Sequence, residues 1–421
     1  MTSLAHHDWF KDPALQRVLS LLNGAGAETR IVGGAVRNSL MDLPVGDIDL
    51  ATTLMPEEVI ARADAAGIKA VPTGISHGTV TLVVDGEPFE VTTLRTDMQT
   101  DGRHAQVVFG RDWEADAHRR DFTVNALYLD QDGRVIDFVS GLADIERRNI
   151  KFIGEASRRI AEDYLRILRF FRFFAWYGTG RPDADGLRAC VAARGRLSTL
   201  SAERIWSETR KLLSADDPGR ALLWMRQVGV LTEVLPETEK WGIDAMPGLV
   251  AAETALGWSP DPLLRLASIV PPDAERISAM SQRLKMSKAE AGFLQDWAKT
   301  PNIDDEMSTA GFKRLLYRRG TAGILAKLKL STAVARSKAE GDTREMARTA
   351  RLIAFLDEAR RWEKPQFPLS GADVIALGVP AGPEVGKMLT ALEDQWVEEN
   401  FAADRAALLG RLKDAPGISD R

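Results

Sequence analysis

The chain has 421 residues, of which 45% are hydrophobic and 27% are charged, and its formal net charge is −5. This length is too great for one hydrophobic core, so two to four domains are expected, and the slightly acidic balance argues mildly against general nucleic-acid binding. A single cysteine, Cys190, excludes an internal disulfide and fits a reducing cytoplasm. Neither a membrane span nor a signal peptide is predicted, because no apolar run is long enough and charged residues interrupt the N-terminal stretch.

The first segment of the chain has the pattern of an amphipathic helix. Leu15, Val18 and Leu19 recur at helical spacing, and the glycines at 24 and 26 are expected to end the helix. This helix is expected to pack against the rest of the first domain.

The segment 30–53, RIVGGAVRNSLMDLPVGDIDLATT, begins with a strand and a glycine turn. A β-branched pair predicts a short buried strand that ends at Gly33 and Gly34, where backbone N–H groups can approach a phosphate closely. A helix is expected to begin at this turn, with Arg37 one helical turn after the glycines.

The same segment ends with the alternating residues Asp47-Ile48-Asp49-Leu50. On a strand this alternation places both aspartates on one face, where they repel each other unless a cation lies between them. Hard oxygen ligands suit Mg²⁺. Taken alone, the glycine pair is more simply an ordinary turn and the aspartate pair an exposed strand. The combination of the two favours two-metal phosphoryl or nucleotidyl transfer with Asp47 and Asp49 as metal ligands.

GGAVRN followed by DIDLAT resembles the signature of the nucleotidyltransferase superfamily that includes DNA polymerase β. More narrowly, the segment is similar to the class II tRNA nucleotidyltransferases (CCA-adding enzymes) and the bacterial poly(A) polymerases. This resemblance implies an α/β head with a DNA polymerase β-like mixed sheet, followed by an all-helical neck, body and tail. Asn38 stands where the family usually has Asp, which removes one charge near the glycine turn but no metal ligand.

Two more strands are predicted over 79–84 (TVTLVV) and 89–94 (FEVTTL), because the Asp-Gly pair between them is a hairpin turn signal. Glu90 faces away from its apolar neighbours on the second strand. It is either a third catalytic carboxylate facing the aspartate pair or a solvated strand residue, with neither favoured. The polar stretch 95–111 predicts a mobile loop, and the resemblance implies that it is the family's flexible loop, implicated in the change from CTP to ATP.

The segment 119–127, RRDFTVNAL, begins with three charged residues and continues with alternating apolar and polar residues. A last strand is predicted over 135–139. An arginine in the RRDFTVNAL segment can bind a triphosphate through its planar fork, although a surface salt-bridge cluster would explain the segment if it stood alone. The close match to the family's RRDFTxNA motif implies that Arg120 binds the nucleotide, as Gly33, Gly34 and Arg37 do.

From residue 157 onward the pattern is helical. In AEDYLRILRFFRFFAW, over 161–176, Asp163 and Arg166 are three apart and so lie side by side on a continuous helix, whereas Arg172 lies nearly opposite Asp163. Charged residues on a helix are most simply solvent-exposed. The match to the family's EDxxRxxR motif instead implies nucleotide binding by Asp163, Arg166, Arg169 and Arg172.

Nine Lys or Arg residues against four Asp or Glu between positions 146 and 181 predict a local basic face. Such a face can bind one strand end without general nucleic-acid affinity, and Arg158 and Arg159 are candidates for RNA contact. The segment 197–240 also resembles the family's RNA-binding neck and body. The predicted domains are a catalytic head over 1–150, a neck and body with nucleotide selection and RNA binding over 151–245, and a tRNA-binding body and tail over 246–421.

The resemblance as a whole implies addition of CCA to tRNA 3′ ends from CTP and ATP, with two Mg²⁺ ions, and the oligomeric state is left open. Within the same chemistry, poly(A) polymerase and the partial CC-adding or A-adding enzymes are alternatives. Tyr164 takes the place where poly(A) polymerases tend to have proline, which leans toward tRNA. A catalytically silent RNA-binding scaffold is the alternative from another class, but the intact carboxylate pair argues against it.

Overall fold

The structure, a computed structural model, describes residues 2–101, 104–239 and 241–414, with the backbone alone over 96–101 and 104–107. The chain divides into two compact units, Met1–Pro236 and Glu237–Arg421. The α/β head and the helices that follow it up to Pro236 therefore belong to one unit. None of the helices in the described ranges is both long and apolar enough to cross a bilayer.

The strands of the described chain all lie in the first unit. They are β1 Thr29–Val32, β2 Asp49–Thr52, β3 Lys69–Gly74, β4 Thr79–Val84, β5 Glu87–Thr93, β6 Arg95–Asp101, β7 His104–Phe109, β8 Leu127–Leu129 and β9 Val135–Asp137. Seven of them form one sheet in the order β3-β4-β5-β2-β1-β8-β9. In this sheet β2 and β5 pair in parallel and the other neighbours pair antiparallel, so the predicted mixed sheet is confirmed.

The predicted hairpin between β4 and β5 is also confirmed. Asp85 and Gly86 have φ of +52° and +90°, so both adopt the left-handed conformation that a two-residue hairpin turn of the primed type requires. The ladder closes by pairing Val84 with Glu87 directly across this turn.

The stretch 95–111, predicted as a mobile loop, is instead mostly a two-stranded antiparallel ribbon of β6 and β7. Its register pairs Arg95 with Phe109 and shifts between Asp97 and Thr100. Polar composition does not prevent backbone N–H and C=O groups from pairing across a ladder, and an Asp-Gly pair at 101–102 is as much a hairpin signal as a loop signal. Residues 102 and 103 lie outside the described residues.

The remaining elements are helical. In the first unit they are α1 Pro13–Leu22, α2 Gly34–Leu40, α3 Pro56–Ala65, α4 Trp113–His118, α5 Gly141–Glu146, α6 Ala156–Glu162, α7 Leu165–Tyr177, α8 Ala184–Ala193, α9 Ala202–Leu213, α10 Gly219–Gln227 and α11 Val230–Val234. In the second unit they are α12 Ala245–Leu256, α13 Pro262–Ile269, α14 Ala274–Arg283, α15 Lys288–Lys299, α16 Thr309–Arg319, α17 Ala322–Lys338, α18 Thr343–Arg360, α19 Gly371–Ala376, α20 Pro383–Glu398 and α21 Arg405–Lys413. Short 3₁₀ turns cover Ile75–His77, Thr123–Asn125, Arg194–Thr199 and Pro236–Thr238.

The continuous helix predicted over 161–176 is wrong, because the helix breaks at Asp163. This residue is extended, with φ of −155°, between the end of α6 and the start of α7. Its Oδ1 accepts the Leu165 N–H at 3.1 Å and its carbonyl accepts the Arg166 N–H at 3.0 Å. Asp is favoured at helix starts because its carboxylate satisfies a free backbone N–H there, so Asp163 caps α7 instead of lying within a helix.

In the second unit, α17 is the helix around which α12, α15 and α18 pack. Gly323 allows the close approach of α15, since a Cβ on this glycine would lie 2.5 Å from the Asp296 carbonyl oxygen. A separate apolar cluster, which includes Tyr317, Trp396 and Leu408, holds the C-terminal helices together.

Candidate nucleotide and metal site

Three carboxylates lie where the neighbouring strands β2 and β5 run side by side. β2 begins at Asp49, with Asp47 two residues before it, and the parallel register places Glu90 beside Asp49. Although Asp49 keeps exposed surface, burial of its carboxylate, followed by the negative charges of Glu90 and Asp47, raises its pKa, while Arg120 acts in the opposite direction. The sheet thus brings the predicted carboxylates together, and their mutual repulsion is of the kind that a bound cation relieves.

The chemistry of this donor set fits a hard divalent cation. Asp47 and Asp49 offer oxygen ligands on an exposed edge of the head, which suits a metal ion that keeps positions for water and phosphate oxygens. Over the described ranges, no three His, Cys, Asp or Glu side chains are arranged to hold one metal ion. Asp49 begins the strand while Asp47 lies before it, so the predicted placement of both on one strand holds only for Asp49. The roles of Asp47 and Asp49 as metal ligands, and of Glu90 as a third carboxylate, stay predictions.

Arg37 is a buried cation whose hydrogen-bond partners among the described residues are all neutral. Its Nη1 donates to Asn125 Oδ1 at 2.5 Å, its Nε and Nη2 donate to Asn38 Oδ1 at 3.1 and 2.8 Å, and Nη2 also donates to the Tyr177 hydroxyl at 2.8 Å. The residue is 7% exposed, and this burial lowers its pKa. Asn38 thus accepts from Arg37 without neutralising it, so an anion at the glycine turn would supply the missing countercharge.

Asp116, which is not among the predicted site residues, is a fully buried carboxylate that holds Arg119 and Arg120. Arg119 Nε donates to Oδ1 at 2.8 Å, while Arg120 Nη2 and the Tyr128 hydroxyl donate to Oδ2 at 2.9 and 2.7 Å. Although burial opposes its charge, Arg120 and Arg119 hold the pKa of Asp116 below its usual value. Its spacing of three and four residues from the two arginines is the sequence signal that identifies such a partner.

We expect Asp116→Asn to destabilise the protein by about 3 kcal/mol, because it leaves two partly buried guanidinium groups without their countercharge. Folding lowers the pKa of Asp116, so the ionised carboxylate contributes its full stabilisation of the fold above its unfolded-state pKa of about 3.9. This stabilisation is lost as the pH falls through the folded-state pKa. The difference in melting temperature between wild type and variant should therefore be full at pH 7 and should shrink below about pH 4. Asp132→Asn, at an exposed ion pair with Arg134, is the control and should change stability by at most about 0.5 kcal/mol. Equal melting of the two variants at pH 7 would contradict this assignment.

A cavity of about 450 Å³ lies next to the glycine turn and the N-terminal part of α7. Its lining is rich in arginine, so it favours a polyanion. The lining residues are Gly33, Gly34, Arg37, Arg119, Arg120, Asp121, Asn125, Asp163, Leu165, Arg166, Arg169, Phe173 and Arg204. The structure therefore brings together seven of the predicted nucleotide-binding residues, Gly33, Gly34, Arg37, Arg120, Asp163, Arg166 and Arg169, and leaves Arg172 outside this lining.

The two residues predicted to select the base both line the cavity but pair with other partners. Arg204 Nη2 donates to Asp163 Oδ2 at 2.6 Å. Arg166 Nη1 donates to Glu162 Oε2 at 2.5 Å and to the Arg159 carbonyl at 2.8 Å. The prediction that Asp163 and Arg166 lie side by side on a helix is therefore wrong. Arg204, 41 residues along the chain, is a cavity residue that the local sequence pattern does not indicate.

The other two arginines of α7 have structural carboxylate partners. Arg169 donates through Nε and Nη2 to Asp121 Oδ2 at 2.8 and 2.5 Å, and against the cost of burial this pairing keeps the pKa of Asp121 below its usual value. Arg172 Nε donates to Glu208 Oε2 at 2.6 Å on α9. Arg169 thus stays a cavity residue, whereas the contacts of Arg172 connect α7 to α9.

Comparison with known proteins identifies the family of the chain. Residues 29–151 match the family model described as the poly A polymerase head domain, and residues 182–241 match the model described as the probable RNA and SrmB-binding site of polymerase A. The chain is 35% identical over 398 residues to the mitochondrial CCA tRNA nucleotidyltransferase 1 of Danio rerio, covering 92% of this chain and 88% of the relative. The chain belongs to the CCA-adding enzyme and poly(A) polymerase family. Members of this family are nucleotidyltransferases, and so is this chain.

Two further family members agree over nearly the whole length. The CCA-adding enzyme of Streptococcus uberis is 33% identical, covering 91% of this chain and 92% of the relative. A crystal structure of the Bacillus stearothermophilus CCA-adding enzyme in complex with CTP superposes with a TM-score of 0.68 at 28% identity, covering 96% of this chain and 98% of that chain. The predicted fold, an α/β head followed by helices, is therefore confirmed for this family member.

The two residues predicted to contact RNA, Arg158 and Arg159, have different environments. Arg158 is exposed on α6. Arg159 is buried, and its guanidinium donates to Glu162 and to the backbone carbonyls of Arg119 and Arg120, the last at 2.6 Å. Arg159 therefore fixes the backbone of the RRDFTVNAL segment and does not offer its charge at the surface, so the expected RNA contact by Arg159 is wrong and Arg158 alone stays a candidate.

Proposed function

We propose that this protein is a CTP(ATP):tRNA nucleotidyltransferase that adds CCA to tRNA 3′ ends. The tRNA 3′-hydroxyl loses its proton and attacks the α-phosphorus of CTP or ATP, a new phosphodiester bond forms, the bond to the β-phosphate breaks, and pyrophosphate leaves. The observation that carries the proposal is the arginine-lined cavity of the head and α7, in a chain that matches named CCA-adding enzymes over nine-tenths of its length. The relatives include mitochondrial and bacterial enzymes, which do not point to one compartment. A cytoplasmic location therefore stays an expectation that rests on the lone cysteine.

Asp47 and Asp49 are proposed to hold two Mg²⁺ ions, with Glu90 beside them. Bound metal would supply activation of the attacking hydroxyl and neutralise the charge that develops on the triphosphate. The protein's own contribution is to fix two ligand oxygens at the start of a buried strand, where Leu50 and Ala51 anchor β2 in the core.

The cavity residues divide by chemistry between phosphates and base. The glycine turn with Arg37 and Arg120 is proposed to bind the triphosphate and sugar, because Arg37 has no carboxylate among its hydrogen-bond partners in the described chain. Asp163 and Arg166 are proposed to bind the base edge. Among the described residues the hydrogen bonds of the Arg166 side chain use Nη1, so its Nη2 and Nε groups are proposed to donate to a ring nitrogen.

In the decisive assay, the purified protein is incubated with Mg²⁺ and with tRNA that lacks its 3′ end. Each nucleoside triphosphate is added alone or in combination, and the products are sequenced. We expect CC from CTP alone and CCA from CTP with ATP. Long A tails would show a poly(A) polymerase, addition that stops after CC or requires a CC end would show a partial enzyme, and tRNA binding without addition would show a scaffold.

We expect Arg158→Ala to weaken tRNA binding and to lower the slope of log affinity against log salt by about 0.7 to 0.9, as loss of one phosphate contact requires. CTP binding should be unchanged, because Arg158 is exposed and does not line the cavity. Arg188→Ala, at an exposed arginine paired with Asp185 in the same unit, is the control. A salt slope that does not differ between the two variants would place the RNA path elsewhere.

A further inference from the structure

The second unit contains a cavity of about 400 Å³ that none of the roles above uses. One face of α17 contributes Lys327, Leu330, Ser331 and Val334, which recur at helical spacing. Surrounding helices supply mostly apolar side chains, such as Leu249 from α12. The volume falls within the range of about 300 to 1,000 Å³ that is typical of small-molecule sites.

Lys327 is the unusual residue of this cavity. It is 8% exposed, and within the described part of the chain its ammonium group has no hydrogen-bond or ion-pair partner. The nearest favourable contact is the face of Trp297, with Nζ 5.3 Å from the ring centroid. Burial lowers the pKa of Lys327. The ammonium is therefore partly desolvated and has no acceptor of its own in the described chain, which favours a ligand that pairs with it.

A second unsatisfied donor lies in the same lining. Trp297 is 3% exposed, and its Nε1 has no hydrogen-bond partner over the described residues. Arg348 also lines the cavity, but it already lies 3.4 Å from a carboxylate oxygen of Asp305 and 3.5 Å from one of Glu345. Arg348 Nε nevertheless makes no hydrogen bond over the described residues, so Lys327, Trp297 and Arg348 all carry a donor without one. A group that only accepts hydrogen bonds satisfies such donors.

We propose that this cavity binds a small organic anion, with its apolar body among Leu249, Leu330 and Val334 and its anionic head at Lys327 and the Trp297 N–H. Carboxylate, sulfonate and phosphate heads share the required chemistry. The apolar lining disfavours a free inorganic anion, which would lose its hydration without gaining contacts for a body. This site is independent of the nucleotide cavity, because all its residues lie in the second unit.

The test uses the full-length protein and the aromatic sulfonate 1-anilinonaphthalene-8-sulfonate, followed by fluorescence titration. We expect Lys327→Met, which keeps the length of the side chain and removes its charge, to weaken binding roughly tenfold or more. Lys329→Met is the matched control, since Lys329 lies on the same helix over Trp258, outside the cavity lining, and its variant should bind as wild type does. Decanoate should displace the dye, whereas decanol, with the same body and no charge, should not.

The melting temperature of Lys327→Met without ligand should equal or exceed that of wild type, because a partly desolvated charge without an ion-pair partner in the described chain is removed. A second variant, Ala245→Phe, reduces the cavity from α12 and should abolish dye binding while Lys327 is retained. Equal dye affinity in wild type and Lys327→Met, displacement by decanol as effective as by decanoate, or displacement by CTP would each overturn the proposal. So would a marked loss of stability in Lys327→Met, since it would show that the ammonium has a structural role.

Discussion

Replacement of Asp47 or Asp49 by Ala should abolish nucleotidyl transfer while the protein stays folded. Each substitution removes a ligand oxygen of the proposed metal site, and metal ions in such sites contribute several kcal/mol of transition-state stabilisation, so the rate should fall by about 10³-fold or more. The fold should survive because neither carboxylate is buried in the core and each is repelled by its neighbours. The measurement is single-turnover incorporation of CMP into tRNA lacking its 3′ end, with Mg²⁺ in excess.

Thermal melts without metal separate this role from a structural one. Burial and the charges of Glu90 and Asp47 raise the pKa of Asp49, so its ionised form opposes folding at neutral pH, and Asp49→Asn should melt at the wild-type temperature or above it. Asp132→Asn, at an exposed residue of the same unit, is the control for loss of one negative charge. Activity lost together with a lower melting temperature would assign Asp49 to the structure of the head instead of its chemistry.

Glu90→Gln resolves the alternative that the sequence leaves open. If Glu90 is a third carboxylate of the site, transfer should fall by an amount comparable to that in the aspartate variants, whereas a solvated strand residue should leave the rate within about twofold. The register places Glu90 beside Asp49, so we expect the larger loss. An unchanged rate with an increased melting temperature would show that Glu90 contributes only repulsion.

The features of this fold that follow from local sequence are those fixed by backbone geometry within a few residues. The turn at Asp85 and Gly86 requires two left-handed residues, which the Asp-Gly pair accommodates, so the hairpin is predictable. The strand at Asp49 and the helix after Gly33 follow from alternation and from the glycine turn in the same way. The glycine turn and its helix supply three predicted residues of the cavity lining, Gly33, Gly34 and Arg37, and the RRDFTVNAL and EDxxRxxR motifs supply four more.

The partners of the charged residues are not predictable in this way, because they are contacts between distant segments. Asp163 pairs with Arg204, 41 residues away, and Arg172 pairs with Glu208, 36 residues away. The spacing of three between Asp163 and Arg166 suggests a neighbouring pair only if the helix is continuous, and the capping preference of Asp for helix starts is the signal that opposes this assumption. Burial of Arg159 against backbone carbonyls depends on tertiary packing, so its surface role was wrongly predicted.

Base choice should depend on Asp163 and Arg166 even though they do not pair with each other. Cytosine and adenine share an amine donor beside a ring nitrogen acceptor, whereas uracil and guanine present a carbonyl acceptor beside an N–H donor. A carboxylate only accepts and a guanidinium only donates, so Asp163 can accept from the amine while Arg166 donates to the ring nitrogen. Against UTP both contacts place like groups opposite each other. Each buried unsatisfied group costs about 1 to 3 kcal/mol, so the two together give roughly 30- to 10⁴-fold discrimination.

Arg204 adds a requirement that the structure reveals. By donating to Asp163 Oδ2 at 2.6 Å, it orients the carboxylate within the cavity, and each carboxylate oxygen has a second lone pair that can accept from the base. Arg204→Met should therefore reduce the preference for CTP over UTP, though less than Asp163→Ala does. Removal of the carboxylate should raise the use of UTP relative to CTP, whereas Arg166→Ala should do likewise and slow transfer from both nucleotides.

The measurement is kcat/KM for CTP and for UTP on tRNA ending in the discriminator base. The exposed pair Asp185 and Arg188 has the same spacing of three residues as Asp163 and Arg166, so Asp185→Ala and Arg188→Ala are matched controls that should keep the wild-type ratio. If Asp163→Ala and Arg166→Ala also keep that ratio, the base is selected elsewhere, and the two residues serve only to fix the junction of α6 and α7. A changed ratio in these two variants alone assigns base selection to side chains of the cavity, because the controls remove the same chemical groups outside it.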